Sequence, residues 1–342
     1  MNELQLTYSP YKLKLKNHFV TSGTVISERN GFIISMKNQN GVEGIGDTCP
    51  LPELASESLN QAESVLKELN LNINIDFNNF RESLKSTLIH FSKTPALRHG
   101  IEQAILNLIC KEKQTTLDKL LGIKLKNEIK VNAAIGLNSV EDTIKIADEF
   151  IRQGYKTLKV KCGRDDFNQE IECLRLLREN FGNEIKVRID VNGGWNLNQA
   201  FHNLREIESV QLEYAEQPVS SFTDIAALKN KSRIKIAADE SVRSTADAER
   251  IINANAADVL ILKPMMIGGL LPTIEIIELA QKNKIDCVIT SSFESAIGRT
   301  SAVIAAAYTK CKMAHGLAIN NFFENDITED LFPVISGKIK LT

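Results

Sequence analysis

The chain has 342 residues, enough for roughly two domains with a large buried core. Hydrophobic residues make up 43% and charged residues 25%, which is typical of a globular protein. The net charge of −2 gives no reason to expect nucleic acid or an anionic membrane as a partner. The N-terminal residues lack a hydrophobic signal core, no apolar run is long enough to span a membrane, and the six cysteines form no C-x-x-C pair. These features predict a cytoplasmic protein with reduced, mostly buried cysteines.

The first 125 residues show strand patterns followed by helix patterns. Polar and apolar residues alternate up to about residue 50, and the segments RNG (29–31) and NQNG (38–41) are turn signals that predict an antiparallel meander. Helical periodicity follows over 53–69, within 76–91 and over 95–109, where a proline suits the first helical turn. Strands followed by helices, without alternation, predict an α+β domain over 1–125.

From residue 130 onward, strand and helix patterns alternate. A helix is predicted from a Ser139 cap to Gly154, and others over 197–207, 244–253 and 270–283. Eight short apolar runs are predicted strands: VNAAIG, YKTLKVK, KVRIDV, QLEYAEQ, IKIAAD, DVLILK, DCVIT and KMAHGL. No nucleotide-binding glycine loop favours an open doubly wound sheet. The sequence therefore predicts an α/β fold, a (β/α) TIM-type barrel over 126–320.

Charged residues lie at the ends of five of these runs, namely Lys161, Asp190, Glu216, Asp239 and Lys263. They are 23 to 29 residues apart, which is the length of a strand, a returning helix and two loops. The spacing therefore predicts that all five side chains lie at one rim of successive parallel strands. In a (β/α) barrel that rim is the catalytic face.

The three carboxylates predict a metal site. Asp190, Glu216 and Asp239 can converge on one point, where their charges repel unless a cation holds them. Oxygen ligands favour Mg²⁺, with Mn²⁺ tolerated, over zinc. Asn192 and Glu240 are predicted to support the site by orienting its ligands or nearby ammonium groups. Ordinary salt bridges and helix caps are the alternatives for each residue taken alone.

The lysines predict acid/base chemistry. Lys159 and Lys161 are two residues apart on a strand, so both ammonium groups point into the barrel, and Lys263 lies across from them. Burial beside a cation lowers the pKa of a lysine and makes a neutral amine available as a base. The predicted chemistry is proton abstraction α to the carboxylate of a small-molecule substrate. The alternative is that these lysines only neutralise the carboxylates.

Together these residues resemble the enolase superfamily in its muconate-lactonizing subgroup. The resemblance rests on K-x-K at 159–161, D-x-N at 190–192, E-Q-P at 216–218, D-E-S at 239–241 and Lys263, with further similarity over 49–58 and 95–108. It implies a capping domain (1–125) completed by the C-terminal tail (321–342), Mg²⁺ on the three carboxylates, and lysines on opposite faces of the substrate. One departure is Asp47, where relatives usually carry glutamate.

Within the subgroup the chain most resembles the o-succinylbenzoate synthase family, through segments 49–58, 289–298 and 314–327. The resemblance implies a lyase of menaquinone biosynthesis in which Lys161 removes the α-proton and returns it to the leaving hydroxyl, while Lys263 stabilises the enediolate. Ser291, Ser292, Ser295 and the amides of the helix that follows would contact the succinyl carboxylate, or else serve as simple helix caps. Segment 19–31 would be a mobile lid, or a plain hairpin.

Other functions remain open. An N-succinylamino acid racemase or a dipeptide epimerase could use the same two lysines, one to remove the proton and the other to return it. The stretch 315–320 contains no carboxylate, which argues against a substrate ammonium group but not against N-succinylamino acids. A non-catalytic, metal-stabilised binding barrel is a third reading. The sequence is compatible with a homo-oligomer and does not define its size.

Overall fold

The computed structural model describes residues 2–20, 25–54, 56–68, 72–164, 166–319 and 322–341. The N-terminal part contains an antiparallel sheet in the order β3-β2-β1-β4. Alternating buried and exposed residues along the first two strands place one face of this sheet on a hydrophobic core. The strands are β1 (Asn2–Val20), β2 (Val25–Asn38), β3 (Glu43–Thr48) and β4 (Asn72–Ile75).

One of the two predicted turns of the meander is wrong. Asn38 and Val42 are joined by a backbone hydrogen bond of 3.0 Å around Gly41, as predicted for NQNG. The RNG segment is not a turn, because β2 continues through it and pairs with β1 at Gly31. A Cβ atom at Gly31 would lie 2.5 Å from the ring of Tyr11, so this glycine is required by close packing.

The α-helices that the described residues form in the N-terminal part are α1 (Leu59–Glu68), α2 (Phe80–Leu88), α3 (Pro95–Glu112) and α4 (Leu117–Leu121). The first begins later than predicted, because Pro52–Leu54 forms a separate 3-10 turn. Further 3-10 turns lie at Ile89–Phe91 and Glu208–Val210. Pro95 occupies the first turn of α3 as predicted.

The second part is a parallel barrel. Seven of its strands in the described residues lie in chain order within one sheet. They are β6 (Ala133–Ile135), β7 (Thr157–Lys161), β8 (Lys186–Asp190), β9 (Ala215–Glu216), β10 (Ile236–Ala238), β11 (Val259–Leu262) and β12 (Asp286–Ile289). The helices are α5 (Val140–Arg152), α6 (Phe167–Phe181), α7 (Leu197–Glu206), α8 (Phe222–Lys229), α9 (Thr245–Asn253), α10 (Pro264–Ile267), α11 (Leu270–Lys282) and α12 (Ala296–Tyr308).

The predicted eighth strand is reduced to two residues that close the barrel. Gly316 forms a parallel bridge with Thr290 after β12, and His315 forms one with Val131 before β6. Hydrogen bonds of 3.0 Å from Ser291 N to Gly316 O and 2.9 Å from Asn132 N to His315 O support these bridges. The closed parallel arrangement confirms the predicted TIM-type barrel.

The C-terminal tail contacts both parts of the molecule. Strands β13 (Val334–Ile335) and β14 (Lys338–Lys340) form an antiparallel sheet with β5 (Glu128–Lys130). Leu15 of β1 forms a bridge with Phe323. The completion of the capping domain by the tail and the boundaries of both domains remain predictions. Within the described ranges, no helix combines the length and the apolar character that a membrane crossing requires.

Candidate active site

The five predicted charged residues lie together at the carboxyl-terminal rim of the barrel. Lys161, Asp190 and Glu216 are the last residues of β7, β8 and β9. Asp239 and Lys263 directly follow β10 and β11. Because these five strands are neighbours in the sheet, the three carboxylates lie side by side with a lysine on either flank.

The three carboxylates form a buried cluster. Oxygens of Asp190, Glu216 and Asp239 lie within 4.8 Å of one another. Burial, reinforced by the charge of Asp190, raises the pKa of Glu216 to about 8. Oxygen Oε2 of Glu216 has no hydrogen-bond partner among the described residues. The three carboxylates repel one another, and one of their oxygens is buried without a partner, so a divalent cation would stabilise the cluster. Because all the ligand atoms are oxygens, the cluster fits Mg²⁺.

The lysines bind these carboxylates directly. Lys159 Nζ lies 2.9 Å from Asp190 and 2.8 Å from Glu216, and Lys161 Nζ lies 2.6 Å from Asp190. Lys263 contacts both oxygens of Asp239. Burial acts to lower the pKa of Lys159 and of Lys263, but the neighbouring carboxylates outweigh it, so both pKa values lie above the ordinary value. Without a metal ion, Lys159 and Lys263 therefore stay protonated.

Asn192 and Glu240 extend this network. The carbonyl of Asn192 accepts a hydrogen bond from Lys161 at 2.7 Å, and its amide donates to Glu240 at 2.8 Å. The sequence reasoning missed Gln217, whose Oε1 accepts from the amide of Asp239 at 2.9 Å. Its position inside the E-Q-P motif was the available signal. Asn192 and Gln217 have left-handed backbones, with φ of 49° and 39°, as does Phe293 at 60°.

A cavity of about 360 Å³ lies above these groups. Its outer wall is apolar, and three aromatic rings there contact one another with centroids 5.1 to 5.6 Å apart. The apolar lining comes from both parts of the molecule: Phe19, Ile26, Leu51, Leu54, Phe293, Ile319 and Phe322. Phe19 and Ile26 belong to the predicted lid segment 19–31, of which residues 21–24 lie outside the described residues. The cavity is therefore suited to a small organic molecule with one carboxylate at the barrel rim.

The predicted serine contacts are only partly brought to the cavity. Ser291 and Ser292 line it, and the hydroxyls of Ser292 and Thr290 are buried without a hydrogen-bond partner among the described residues. Ser295 instead donates its hydroxyl to Asp47 at 2.7 Å and caps α12.

The amides at the start of α12 do not face the cavity as predicted. The amide of Ser295 donates to Asp47 at 3.0 Å, and that of Ala296 donates to both oxygens of Asp326 at 3.1 Å. These carboxylates come from β3 and from the C-terminal tail, so the helix end is occupied by the protein itself.

The comparisons with known proteins place the chain in a family. Residues 142–342 match the family described as enolase C-terminal domain-like, and residues 3–108 match the MenC N-terminal domain. The protein therefore belongs to the enolase superfamily and is an enzyme of that superfamily. Mg²⁺ is the cofactor, and the buried triad supplies the oxygen ligands that suit it.

Individual relatives have different activities. The L-amino acid-D/L-Glu epimerase of Francisella philomiragia is 29% identical over 301 residues, which cover 86% of this chain and 84% of the relative. The o-succinylbenzoate synthase of Listeria innocua is 27% identical over 338 residues, covering 96% and 88%. The structure of N-succinyl Arg/Lys racemase from Bacillus cereus superposes with a TM-score of 0.88 at 23% identity, covering 99% and 93%, which shows the shared fold.

Proposed function

We propose that the protein is an o-succinylbenzoate synthase, a lyase that removes water from 2-succinyl-6-hydroxy-2,4-cyclohexadiene-1-carboxylate by syn elimination. The observation that carries the proposal is the pair of lysines, Lys161 and Lys263, on either side of a Mg²⁺-binding carboxylate triad at the floor of a largely apolar cavity. The match to the MenC N-terminal domain and the similarity to the Listeria synthase support this choice.

The charges of the site favour a carboxylate substrate. With all four carboxylates ionised, as they would be around a bound cation, the triad and Glu240 have four formal negative charges against three formal positive charges on Lys159, Lys161 and Lys263. With a divalent cation the same group has one positive charge in excess. One substrate carboxylate at the rim would neutralise this excess positive charge.

The two lysines then have distinct tasks. Mg²⁺ bound to the triad would polarise the substrate carboxylate and stabilise the negative charge that develops when the α-proton leaves. Lys161 removes that proton, and its hydrogen bonds to Asp190 and Asn192 aim its amine towards the cavity. The same ammonium group returns the proton to the leaving hydroxyl, since syn elimination uses one face. Lys263 stays protonated because it pairs with Asp239, and its positive charge stabilises the developing negative charge from the opposite face of the substrate.

The second carboxylate of the substrate needs polar contacts away from the rim. Thr290 and Ser292 line the cavity, and their buried hydroxyls have no hydrogen-bond partner among the described residues, so a small side-chain rotation would make them suited to this role. An unsatisfied buried hydroxyl costs free energy, which a substrate oxygen would recover.

A racemase or epimerase of acylated amino acids is the second candidate. Lys161 and Lys263 lie on opposite flanks, so one could remove the proton and the other return it, and the Francisella epimerase supports such an activity. Residues 315–319 contain no carboxylate to hold the ammonium group of a dipeptide, which favours N-succinylamino acids over dipeptides as alternative substrates.

The test is direct assay of the purified enzyme with Mg²⁺ in D₂O. Loss of the cyclohexadiene absorbance measures dehydration, and deuterium uptake at the α-carbon measures proton exchange in N-succinylamino acids and dipeptides. The proposal expects kcat/KM for dehydration to exceed every other value by about 100-fold or more. Faster racemisation of an N-succinylamino acid or dipeptide would show that the second candidate is the main activity.

A further inference from the structure

One buried guanidinium ties together two loops that form walls of the cavity. Arg29 lies in β2 and is only 5% exposed. Its Nη2 donates to the carbonyl oxygens of Cys49 at 2.9 Å and Pro50 at 2.8 Å. Its Nε donates to the carbonyl oxygen of Phe293 at 3.3 Å. One side chain from the capping sheet thus holds backbone from the N-terminal part and backbone from the barrel.

Both loops present residues to the cavity just beyond these carbonyls. Leu51 and Leu54 line it after Pro50, while Ser291, Ser292 and Phe293 line it on the barrel side. Arg29 is not among the described lining residues, so it acts from behind the walls. The separation of the two walls therefore depends on a side chain that a substrate would not touch.

The contacts suit arginine in particular. A guanidinium presents several N–H donors in a rigid fork, so it can bond carbonyls that lie in different directions, whereas a lysine has one nitrogen. Burial raises the pKa of Glu294, which directly follows the 291–293 loop. The positive charge of Arg29 acts to lower the same pKa, which indicates that the guanidinium lies near this loop. The loop at Phe293 also has a left-handed backbone that needs support from its surroundings.

We propose that Arg29 is a positioning residue that sets the gap between the 49–54 loop and the 291–293 loop. Through that gap it determines which carboxylate substrates fit the cavity. The inference rests on the proposed function, because it concerns the selection of substrate at that site. Among the described residues the side chain of Arg29 donates to Cys49, Pro50 and Phe293 and to no member of the metal triad or its lysines, so we expect metal binding and proton transfer to be independent of it.

The test compares Arg29→Lys with the matched control Arg178→Lys. Among the described residues the side chain of Arg178 also donates only to carbonyl oxygens, including those of Val210 at 2.9 Å and Ile185 at 2.8 Å, and neither Arg29 nor Arg178 lines the cavity. For Arg29→Lys we expect KM to rise by about 10-fold or more and kcat to change by less than about 3-fold. The reason is that the substitution weakens the binding of substrate without changing the groups that react with it. Mg²⁺ affinity, measured by calorimetry, should be unchanged. Arg178→Lys should leave KM, kcat and Mg²⁺ affinity at wild-type values.

Amide hydrogen exchange provides a readout that needs no substrate. Arg29→Lys should speed exchange in peptides covering 49–54 and 291–293 and leave the barrel strands unchanged. Unchanged exchange, an unchanged KM, or equal effects of the two substitutions would each overturn the proposal. If Arg29→Lys fails to fold, Arg29→Gln is measured in the same way. A wild-type enzyme inactive on every carboxylate tested would refute the proposed function, while the exchange comparison would still decide whether Arg29 orders the loops.

Discussion

Replacing Lys161 by methionine isolates the amine of the proposed base. Methionine keeps much of the buried stem but cannot take up a proton. The remaining contacts should preserve the site, because Asp190 keeps Lys159 at 2.9 Å and Asn192 keeps Glu240 at 2.8 Å. We therefore expect the melting temperature to change little and Mg²⁺ binding not to weaken. The rate of α-proton removal should fall by about 10²- to 10⁴-fold, the usual contribution of a positioned general base.

The assay for this prediction follows dehydration and α-deuterium exchange at saturating substrate. Circular dichroism measures the melting temperature, and calorimetry measures Mg²⁺ affinity. Lys145→Met is the control, since Lys145 is exposed and pairs with Glu141 one helical turn away. A Lys161→Met enzyme that keeps more than about a tenth of the wild-type rate would exclude Lys161 as the base.

Two further predictions concern stability. Lys159→Met should lower the free energy of unfolding by about 3 kcal/mol without Mg²⁺, because Glu216 loses its lysine partner while Asp190 keeps Lys161, and by much less at saturating Mg²⁺. Urea unfolding with the exposed-pair control Lys338→Met measures this, and equal losses with and without Mg²⁺ would contradict it. Burial raises the pKa of Asp47 to about 6, so its contribution to the free energy of unfolding is complete below about pH 4 and is lost as pH rises through 6. The unfolding free energy of wild type minus that of Asp47→Asn should therefore fall by about 3 kcal/mol from pH 4 to pH 7, and a constant difference would refute it.

The rim residues could be predicted because each depends on local sequence and a regular repeat. A polar residue at the end of a buried strand, repeated every 23 to 29 residues, defines its place in a barrel without knowledge of distant contacts. The clustering of Asp190, Glu216 and Asp239 follows from that repeat alone. The length of the eighth strand could not be predicted as well as the rim residues. Within the predicted run only His315 and Gly316 form β-bridges.

Contacts between distant segments could not be predicted in this way. At the sequence level Asp47 is only a departure from the family pattern, yet its side chain is fully buried and binds Ser295, which is 248 residues away. Asp326 joins the same helix end from the tail. The expectation that this helix would offer its amides to substrate was wrong because two acidic side chains from elsewhere had already taken them. The predicted turn at Gly31 was wrong for a similar reason, because this glycine is required by the ring of Tyr11 in β1, which packs against it.

The left-handed backbones beside the site have a consequence for how the protein can change. Asn192, Gln217 and Phe293 adopt conformations that glycine would adopt at lower cost, so each imposes a local conformational penalty on the folded chain. Glycine would relieve that penalty but would also remove the hydrogen bonds of Asn192 and Gln217 and the ring contacts of Phe293. Selection for heat resistance therefore keeps these side chains, and with them the amide and aromatic groups gathered around the reaction centre.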